Sequence, residues 1–319
     1  MKQIPAYVLT GFLGSGKTTV LQRMIQSAKD DGLRPIIVLN ELGETNVERH
    51  LFTDVEMVEL LNGCICCTIQ EDMRTELEEL LRSDDPGDIL FIEGTGIANP
   101  QEIMEALTHP HLIEAVQLQS IISVLDTSKF LEYQSRFQSS KEVRQLLKQQ
   151  VEFASLLLFN KMDLTDDRTL NKVKKKVEVL KQKNTPIIET EMGNVDHTEL
   201  FASRFKWELE ESEKSQNNHH HHHHHHQHTF QAVRVKDVPH IERVAFEKWL
   251  KKNDEHIIRA KGCVRLTETP RLFHFQYASK TLQLMPAERE DEPVIILIGT
   301  GFQREELLDS INTEVLNKL

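Results

Sequence analysis

The sequence contains no run of eighteen consecutive apolar residues, the length that indicates a membrane-spanning helix. We expect no secretory signal, because the N-terminal stretch has a single early basic residue, Lys2, and a short apolar run that residues 14–17 interrupt. We therefore expect a cytoplasmic protein with no membrane partner.

Positive charge is in short supply: 38 Lys and Arg residues face 50 Asp and Glu residues, and the formal net charge is -12. Nucleic-acid binding needs a basic surface, so this charge argues against a nucleic-acid partner. The one basic run, "KVKKKVEVLKQK" at residues 172–183, carries Val173, Val177 and Leu180 at helical spacing. That spacing predicts a solvated amphipathic helix rather than a binding patch.

Cysteine is also scarce, with four residues, and three of them lie close together in "LNGCICCTIQ" as Cys64, Cys66 and Cys67. Neighbouring cysteines cannot all pair with one another, and Cys263 lies far along the chain, so a disulfide framework is not expected. In a reducing compartment such a cluster indicates metal or redox chemistry. We expect Cys263, alone in a strand-like stretch, to be a core residue rather than a ligand.

The length of 319 residues suggests about two domains. Apolar strand-like runs alternate with amphipathic helical patterns up to about Trp207, which predicts an α/β domain with a mainly parallel sheet and helices on both faces. A polar stretch without an apolar face follows. We predict an α/β domain at residues 1–207, an acidic and His-rich linker at 208–228, and a smaller α+β domain at 229–319.

The segment "GFLGSGKT", residues 11–18, matches the P-loop pattern between an apolar strand and an amphipathic helix. Its glycines let the backbone N–H groups surround phosphates, and the helix N-terminus adds a positive dipole end. We expect Lys17 to reach the β- and γ-phosphates of a nucleoside triphosphate and the Thr18 hydroxyl to bind Mg²⁺. The candidate phosphate-binding residues are Gly11, Gly14, Ser15, Gly16, Lys17, Thr18 and Thr19.

The segment "NKMD" follows another buried strand-like run and supplies Asn160, Lys161 and Asp163. A carboxylate at this place can accept hydrogen bonds from N1–H and the 2-amino group of guanine, a pair of donors that adenine does not offer. The lysine stem can lie over the base. The pattern favours GTP over ATP and disfavours the alternative of a P-loop kinase with an ATP donor.

Two further segments provide acidic side chains. "ILFIEGTGIANP" ends a strand in Glu93, which can hold Mg²⁺, directly or through water, or orient the attacking water. "NELGETNVERH" is a candidate nucleotide-sensing switch loop that contains Glu41, Glu44 and His50. Lys17, Glu93 and Glu41 are the candidate catalytic residues.

The cysteine cluster falls between these two segments. Closely spaced thiolates suit Zn²⁺ or another thiophilic ion, and three of them leave a tetrahedral zinc one ligand short. Glu41, Glu44 or His50 could supply the fourth ligand. The alternative is that the cysteines are small buried residues packed under a loop.

These motifs occur together in a known family. The sequence resembles the CobW family of P-loop GTPases, relatives of the urease and hydrogenase nickel-insertion GTPases, through "GFLGSGKTT", "NELGE", "LNGCICC", "IEGTGIANP", "NKMD", "RAKGCVRL" and "IGTGF". The resemblance implies a P-loop NTPase fold and a GTP-dependent metallochaperone with a CxCC metal site. The family's metal cysteines correspond to Cys64, Cys66 and Cys67.

A histidine tract lies in the polar linker. A purification tag, the alternative, would usually lie at a terminus. Imidazole is the commonest protein ligand for borderline metals, so we interpret the tract as a metal-collecting arm with weak, unselective binding. Its residues are His219, His220, His221, His222, His223, His224, His225, His226 and His228.

The sequence thus predicts a GTPase that uses GTP, Mg²⁺ and Zn²⁺, with Co²⁺ or Ni²⁺ as alternative metals, and delivers the metal to a client metalloprotein. The alternative is a metal buffer or sensor with a regulatory GTP site. A monomer or a weak homo-oligomer is expected.

Overall fold

The computed structural model describes residues 3–39, 56–59, 69–81, 86–94, 96, 99–109, 112–208, 230–278, 280–287 and 292–316. The chain folds into two compact units, Met1–Arg204 and Phe205–Leu319. The linker predicted at residues 208–228 lies almost wholly outside the described residues, so its bounds remain a prediction.

The first unit is built on a sheet of seven strands in the order β3-β2-β4-β1-β5-β6-β7. Every described pair in this sheet is parallel, as the alternation of strands and helices predicts. Its elements are β1 Ile4–Thr10, α1 Lys17–Asp30, β2 Pro35–Leu39, β3 Glu56–Glu59, α2 Ile69–Leu81, β4 Ile89–Glu93, α3 Pro100–Leu107, β5 Val116–Asp126, α4 Phe130–Tyr133, α5 Lys141–Glu152, β6 Leu156–Asn160, α6 Asp167–Glu178, β7 Ile187–Glu189 and α7 His197–Leu200.

Helices cover both faces of this sheet, which explains why its strands are continuously apolar. Successive residues of a strand point to opposite faces, and both faces are buried in β6. Leu158 packs in a cluster with Met24 of α1, whereas Phe159 packs in a second cluster with Val177 of α6. Burying side chains of this size stabilises the fold by about 1.5–3 kcal/mol each.

The carboxyl ends of four strands meet at one edge of the sheet. The register pairs Leu9 of β1 with Glu93 of β4, and Asp126 of β5 with Asn160 of β6. In open parallel sheets, ligands bind at this edge.

The second unit contains a six-stranded sheet in the order β12-β11-β10-β13-β9-β8. The described pairs are antiparallel except for the parallel pair β8 and β9. One face packs with Phe246 and Trp249 of α8 and Ile311 of α9 in a single apolar cluster. The elements are β8 Phe205–Glu208, β9 Phe230–Val235, α8 Arg243–Lys252, β10 Ile257–Leu266, β11 Thr269–Ala278, β12 Thr281–Pro286, β13 Val294–Gly299, α9 Arg304–Ile311 and a π-helical turn Asn312–Leu316. The second unit has the predicted α+β architecture.

The helices are short. The longest in the described ranges, α1, has 14 residues, whereas a helix needs about 20 to cross a bilayer. No described helix is long and apolar enough for a membrane span.

Candidate nucleotide-binding site

The loop between β1 and α1 is shaped by glycines in the left-handed region. Gly11, Gly14 and Gly16 have φ angles of 141°, 70° and 102°, and Gly16 caps the N-terminus of α1. The N–H groups in the first turn of an α-helix have no carbonyl partner within the helix. The loop therefore ends in backbone donors and a positive dipole end, which is the arrangement that binds phosphate.

Two of these glycines also permit close contacts. A Cβ atom on Gly11 would lie 2.2 Å from the carbonyl oxygen of Val124 in β5, and a Cβ on Gly16 would lie 2.4 Å from Nδ2 of Asn160. Both separations are far below van der Waals contact. Any side chain at either position would push the loop away from β5 or β6.

Asn160, at the end of β6, holds the loop in place. Its Nδ2 donates to the carbonyl of Ser15 at 2.9 Å, and its Oδ1 accepts from the N–H of Gly193 at 3.0 Å. The side chain is 2% exposed, and both hydrogen bonds are buried. Both ends of the Asn160 amide therefore bond to the protein, one of them to the phosphate loop, and the predicted contact of Asn160 with the nucleotide stays a prediction.

Lys17 is the first residue of α1 and is 8% exposed. Its Nζ lies 3.5 Å from the carbonyl oxygen of Phe12, so the side chain folds back across the loop. The ammonium group thus lies beside the loop backbone at Phe12. Thr19 lies in the same helical turn.

Thr18 and Glu93 come together although 75 positions separate them in the chain. The Thr18 hydroxyl donates to Oε1 of Glu93 at 3.2 Å, because β4 lies beside β1 in the sheet and α1 starts above both. The N–H of Gly94 bonds to the carbonyl of Leu9 at 2.9 Å and fixes the strand end that carries Glu93. A hydroxyl and a carboxylate side by side are the oxygen ligands that Mg²⁺ uses in nucleotide sites. The residues present therefore fit this ion.

Lys161 has a partner that the sequence did not suggest. Its backbone is left-handed, with φ 62°, and its Nζ lies 2.6 Å from Oδ2 of Asp126. Asp126 is 6% exposed, and its other oxygen accepts from Ser128 Oγ at 2.6 Å. This carboxylate fixes the lysine stem at the edge of the sheet. The signal that could have revealed it is an acid that ends an apolar run, as Glu93 does.

Asp163 lies in the exposed 3-10 turn Met162–Leu164. The turn is held by a bond from the Thr165 hydroxyl to the Lys161 carbonyl at 2.9 Å, and by one from the Met162 N–H to the Thr190 carbonyl at 3.3 Å. The carboxylate is accordingly presented on a fixed turn, outside the phosphate loop. A nucleotide base bound beside this turn could donate hydrogen bonds to the Asp163 carboxylate.

The structure does not describe the residues that were predicted to bind Zn²⁺. Glu41, Glu44, His50, the three clustered cysteines and the histidine tract lie outside the described residues. Within the described ranges, no three His, Cys, Asp or Glu side chains form a group that could hold a metal ion. The thiolate site therefore remains a prediction.

Two family models match the chain. The CobW/HypB/UreG nucleotide-binding domain matches residues 5–188, a range that includes the phosphate loop, Glu93 and the Asn160–Asp163 segment. The cobalamin synthesis protein cobW C-terminal domain matches residues 230–314.

Among curated proteins, the zinc chaperone CobW of Sinorhizobium sp is 30% identical over 216 residues, 60% of each chain. The zinc-regulated GTPase metalloprotein activator 1 of Dictyostelium discoideum is 32% identical over 205 residues, 54% of this chain and 42% of that protein. The zinc chaperone YjiA of Escherichia coli is 28% identical over 290 residues, 86% of each chain. The chain therefore spans less than two thirds of the first two of these relatives.

Proposed function

This chain belongs to the CobW/HypB/UreG family of nucleotide-binding proteins, and we propose that it is a GTPase that couples GTP hydrolysis to the delivery of Zn²⁺ to a client metalloprotein. The observation that carries the proposal is the meeting of three groups at one sheet edge: the phosphate loop, the Thr18–Glu93 pair, and the turn that carries Asp163.

The phosphate loop supports triphosphate binding. The backbone donors at the start of α1 and the Lys17 ammonium belong to the same loop, and both would stabilise charge on the β- and γ-phosphates. Hydrolysis moves negative charge toward the β–γ bridge, so donors that are already oriented favour the transition state over the ground state. Lys17 is therefore assigned to charge stabilisation.

The Thr18–Glu93 pair supports hydrolysis rather than binding alone. Thr18 and Glu93 would hold a Mg²⁺ ion there, and the ion would supply positive charge that neutralises the phosphates. Glu93 would hold the ion, directly or through water, or orient the attacking water. Glu93 ends strand β4, and the hydrogen bond from the Gly94 N–H to the Leu9 carbonyl fixes this strand end beside β1. The distance between the Glu93 carboxylate and the phosphate loop is therefore fixed.

Asp163 and Lys161 support guanine as the base. The Asp163 carboxylate can accept hydrogen bonds from N1–H and from the 2-amino group of guanine. In adenine, N1 is itself an acceptor and the 2-amino group is absent, so the carboxylate would find no donor. The ion pair of Lys161 with Asp126 holds the lysine stem in a single orientation for stacking.

The zinc part of the proposal is supported by the sequence and by what the relatives are named for. Two of them are zinc chaperones and a third is a zinc-regulated GTPase metalloprotein activator. Here Cys64, Cys66 and Cys67 would hold the ion, and Glu41 or a neighbour in the switch-like loop would complete its coordination and report the nucleotide state. Thiolates of this kind suit a reducing cytoplasm.

The test is zinc transfer during a single turnover. Protein loaded with one Zn²⁺ is mixed with GTP or with a non-hydrolysable GTP analogue in the presence of a fluorescent zinc chelator. We expect Zn²⁺ release to follow phosphate release with GTP, and to be absent in Lys17→Ala, while Arg23→Ala on the exposed side of α1 behaves as wild type.

Equal release with both nucleotides would contradict coupling to hydrolysis and favour a metal buffer with a regulatory GTP site. Failure of the wild type to hydrolyse GTP at all would overturn the GTPase assignment itself.

A further inference from the structure

An open pocket in the first unit lies between α5, the loop that precedes it and the end of α6. Its volume is about 520 Å³, and five of its nine lining residues are cationic, whereas none is acidic. We propose that this basic pocket docks an acidic, partly apolar peptide segment of the client protein. Only the identity of the partner as the client rests on the proposed function. The cations are Arg136, Lys141, Arg144, Lys148 and Lys176.

Most of these cations have no counter-ion in the part of the chain that the structure describes. Lys148 pairs with Glu152 at 3.1 Å, and the other four form no ion pair with a described carboxylate. The carboxylate of Glu142 is bonded to its own N–H and to the Ser140 hydroxyl, which lowers its pKa. Cations gathered in this way repel one another, so stability of the fold does not account for them.

The pocket walls are held together by hydrogen bonds to neutral groups. Gln134, at the end of α4, donates from Nε2 to the backbone carbonyl of Arg144 at 3.2 Å, and the Arg144 guanidinium donates to the carbonyl of Ser139. Burial lowers the pKa of Lys176, whose ammonium is partly withdrawn from water. A carboxylate entering the pocket would therefore meet cations that are already positioned.

Apolar side chains at the pocket favour a peptide over a small inorganic anion. Val179 lines the pocket and is 85% exposed, and Phe137, the residue after Arg136, is 100% exposed. Leu180 also lines the pocket and packs against the core below it. Exposed apolar groups beside cations fit a ligand that carries both carboxylates and apolar side chains.

The surrounding charge argues against a long polyanion as the ligand. Helix α6 is the amphipathic helix that the basic run predicts, and one lysine of the run, Lys176, lines the pocket. Two others are neutralised, Lys174 by Glu189 and Lys181 by Glu178. The chain as a whole carries a net charge of -12, which repels a nucleic acid or an anionic membrane. A short peptide can place a few carboxylates in the pocket and avoid this repulsion.

The elements that form the pocket also contact the nucleotide site. Tyr133 of α4 lies against Phe12 of the phosphate loop, with ring centroids 4.7 Å apart. Gln150 of α5 donates from Nε2 to the carbonyl of Gly96, beyond the strand end that carries Glu93, at 3.4 Å. A partner in the basic pocket would therefore bind to helices that touch the phosphate loop.

The experiment measures peptide binding to the full chain by fluorescence polarisation. The probe is a labelled decapeptide that alternates glutamate with leucine. We expect one probe to bind per chain, and binding to weaken at high salt because the pocket is open to solvent. A peptide that alternates glutamate with serine should bind about 5-fold more weakly or worse, because it lacks the apolar contacts. A peptide that alternates lysine with leucine should not bind.

Substitutions at exposed positions locate the binding site. Arg136→Glu and Lys176→Glu should each weaken the glutamate–leucine probe by about 10-fold or more. Val179→Ser should weaken this probe and leave the glutamate–serine peptide unchanged. Arg23→Glu is the matched control, because it makes the same charge change on α1, which covers the opposite face of the sheet. It should alter the affinity by less than about 2-fold. All four variants should keep the thermal unfolding and GTP binding of the wild type.

Absence of probe binding would overturn the proposal, as would binding that Arg136→Glu and Lys176→Glu leave unchanged. Tighter binding of a single-stranded RNA oligonucleotide or of phosphatidylserine vesicles would also overturn it. Self-association of the chain that Arg136→Glu abolishes would assign the pocket to a second copy instead. Probe binding is measured without GTP or zinc. Failure of zinc transfer would therefore leave the pocket assignment standing, and failure of probe binding would leave the GTPase proposal standing.

Discussion

Asn160 provides a sharp test of how the phosphate loop is held. We expect Asn160→Ala to weaken all nucleotides by the same factor, because the residue positions the loop through its bonds to Ser15 and Gly193 and does not read the base. In this respect Asn160 should differ from Asp163, although both lie in the same four-residue motif.

The magnitude follows from the two bonds that Asn160→Ala removes. Each leaves a buried backbone group without its partner, at a cost of about 1–3 kcal/mol. We expect the free energy of unfolding to fall by about 2–6 kcal/mol in total. Without Asn160, GTP itself must order the loop at Ser15 when it binds. If this takes about 1–2 kcal/mol from the binding free energy, GTP affinity falls roughly 5- to 30-fold.

The assay is competition binding with a fluorescent GDP derivative, using GTP and inosine triphosphate, which lacks the 2-amino group. The ratio of the two affinities should stay at its wild-type value in Asn160→Ala. Asn160→Asp is isosteric and keeps the acceptor for Gly193, but it places an anionic oxygen against the Ser15 carbonyl, so it should cost at least as much affinity as alanine. Asn171→Ala, exposed on α6, is the control and should leave affinity and stability unchanged.

A collapse of the GTP to inosine triphosphate ratio in Asn160→Ala, with stability near that of the wild type, would refute this reasoning. It would mean that the amide contacts the base and that its bonds to Ser15 and Gly193 are incidental.

Three further results are expected. Asp163→Asn should weaken GTP and strengthen xanthosine triphosphate in the same competition assay, because an amide can donate to the 2-oxo group of xanthine; unchanged GTP binding would contradict the guanine assignment. Deletion of residues 219–228 should remove weakly bound Zn²⁺ or Ni²⁺ in equilibrium dialysis while GTP hydrolysis stays near wild type, and loss of the tightest zinc site would contradict our interpretation of the tract. Burial raises the pKa of Tyr7 to about 12, partly opposed by Arg204, so the native state holds this proton more tightly than the unfolded state. The free energy of unfolding, measured by chemical denaturation, should therefore fall as pH rises from about 10 to about 12. In Tyr7→Phe this fall should be smaller by about 2–3 kcal/mol. Identical pH profiles of the wild type and the variant would contradict the prediction.

Much of the first unit could be predicted because its strands are buried on both faces and are apolar throughout. The short strand β3, "EMVE", was not predicted, since four residues of mixed polarity carry no clear period. The first residues of β5 include Gln117 and Gln119, and these polar side chains hide the start of the strand at Val116.

The candidate site could be predicted only where one segment carries the signal. The residues of the phosphate loop are consecutive in the sequence, so the sequence pattern alone identifies the loop. The contact of Lys161 with Asp126 depends on the adjacency of β5 and β6, and a sequence read along one chain does not reveal which strands are neighbours. For the same reason Cys263 was expected to be a core residue rather than a ligand: it is indeed buried, but His274, 11 positions away, becomes its partner only through the β10–β11 register.

The central claim is that nucleotide state and zinc binding are coupled through the CxCC segment. The most direct measurement is the Zn²⁺ affinity of the nucleotide-free, GDP-bound and non-hydrolysable-GTP-bound protein, repeated with Cys66→Ser and Cys67→Ser. Linkage requires zinc to change GTP affinity by the same factor as GTP changes zinc affinity, and we expect a factor of roughly 5- to 150-fold that the cysteine substitutions abolish. Equal Zn²⁺ affinity in all three nucleotide states would contradict the metallochaperone mechanism.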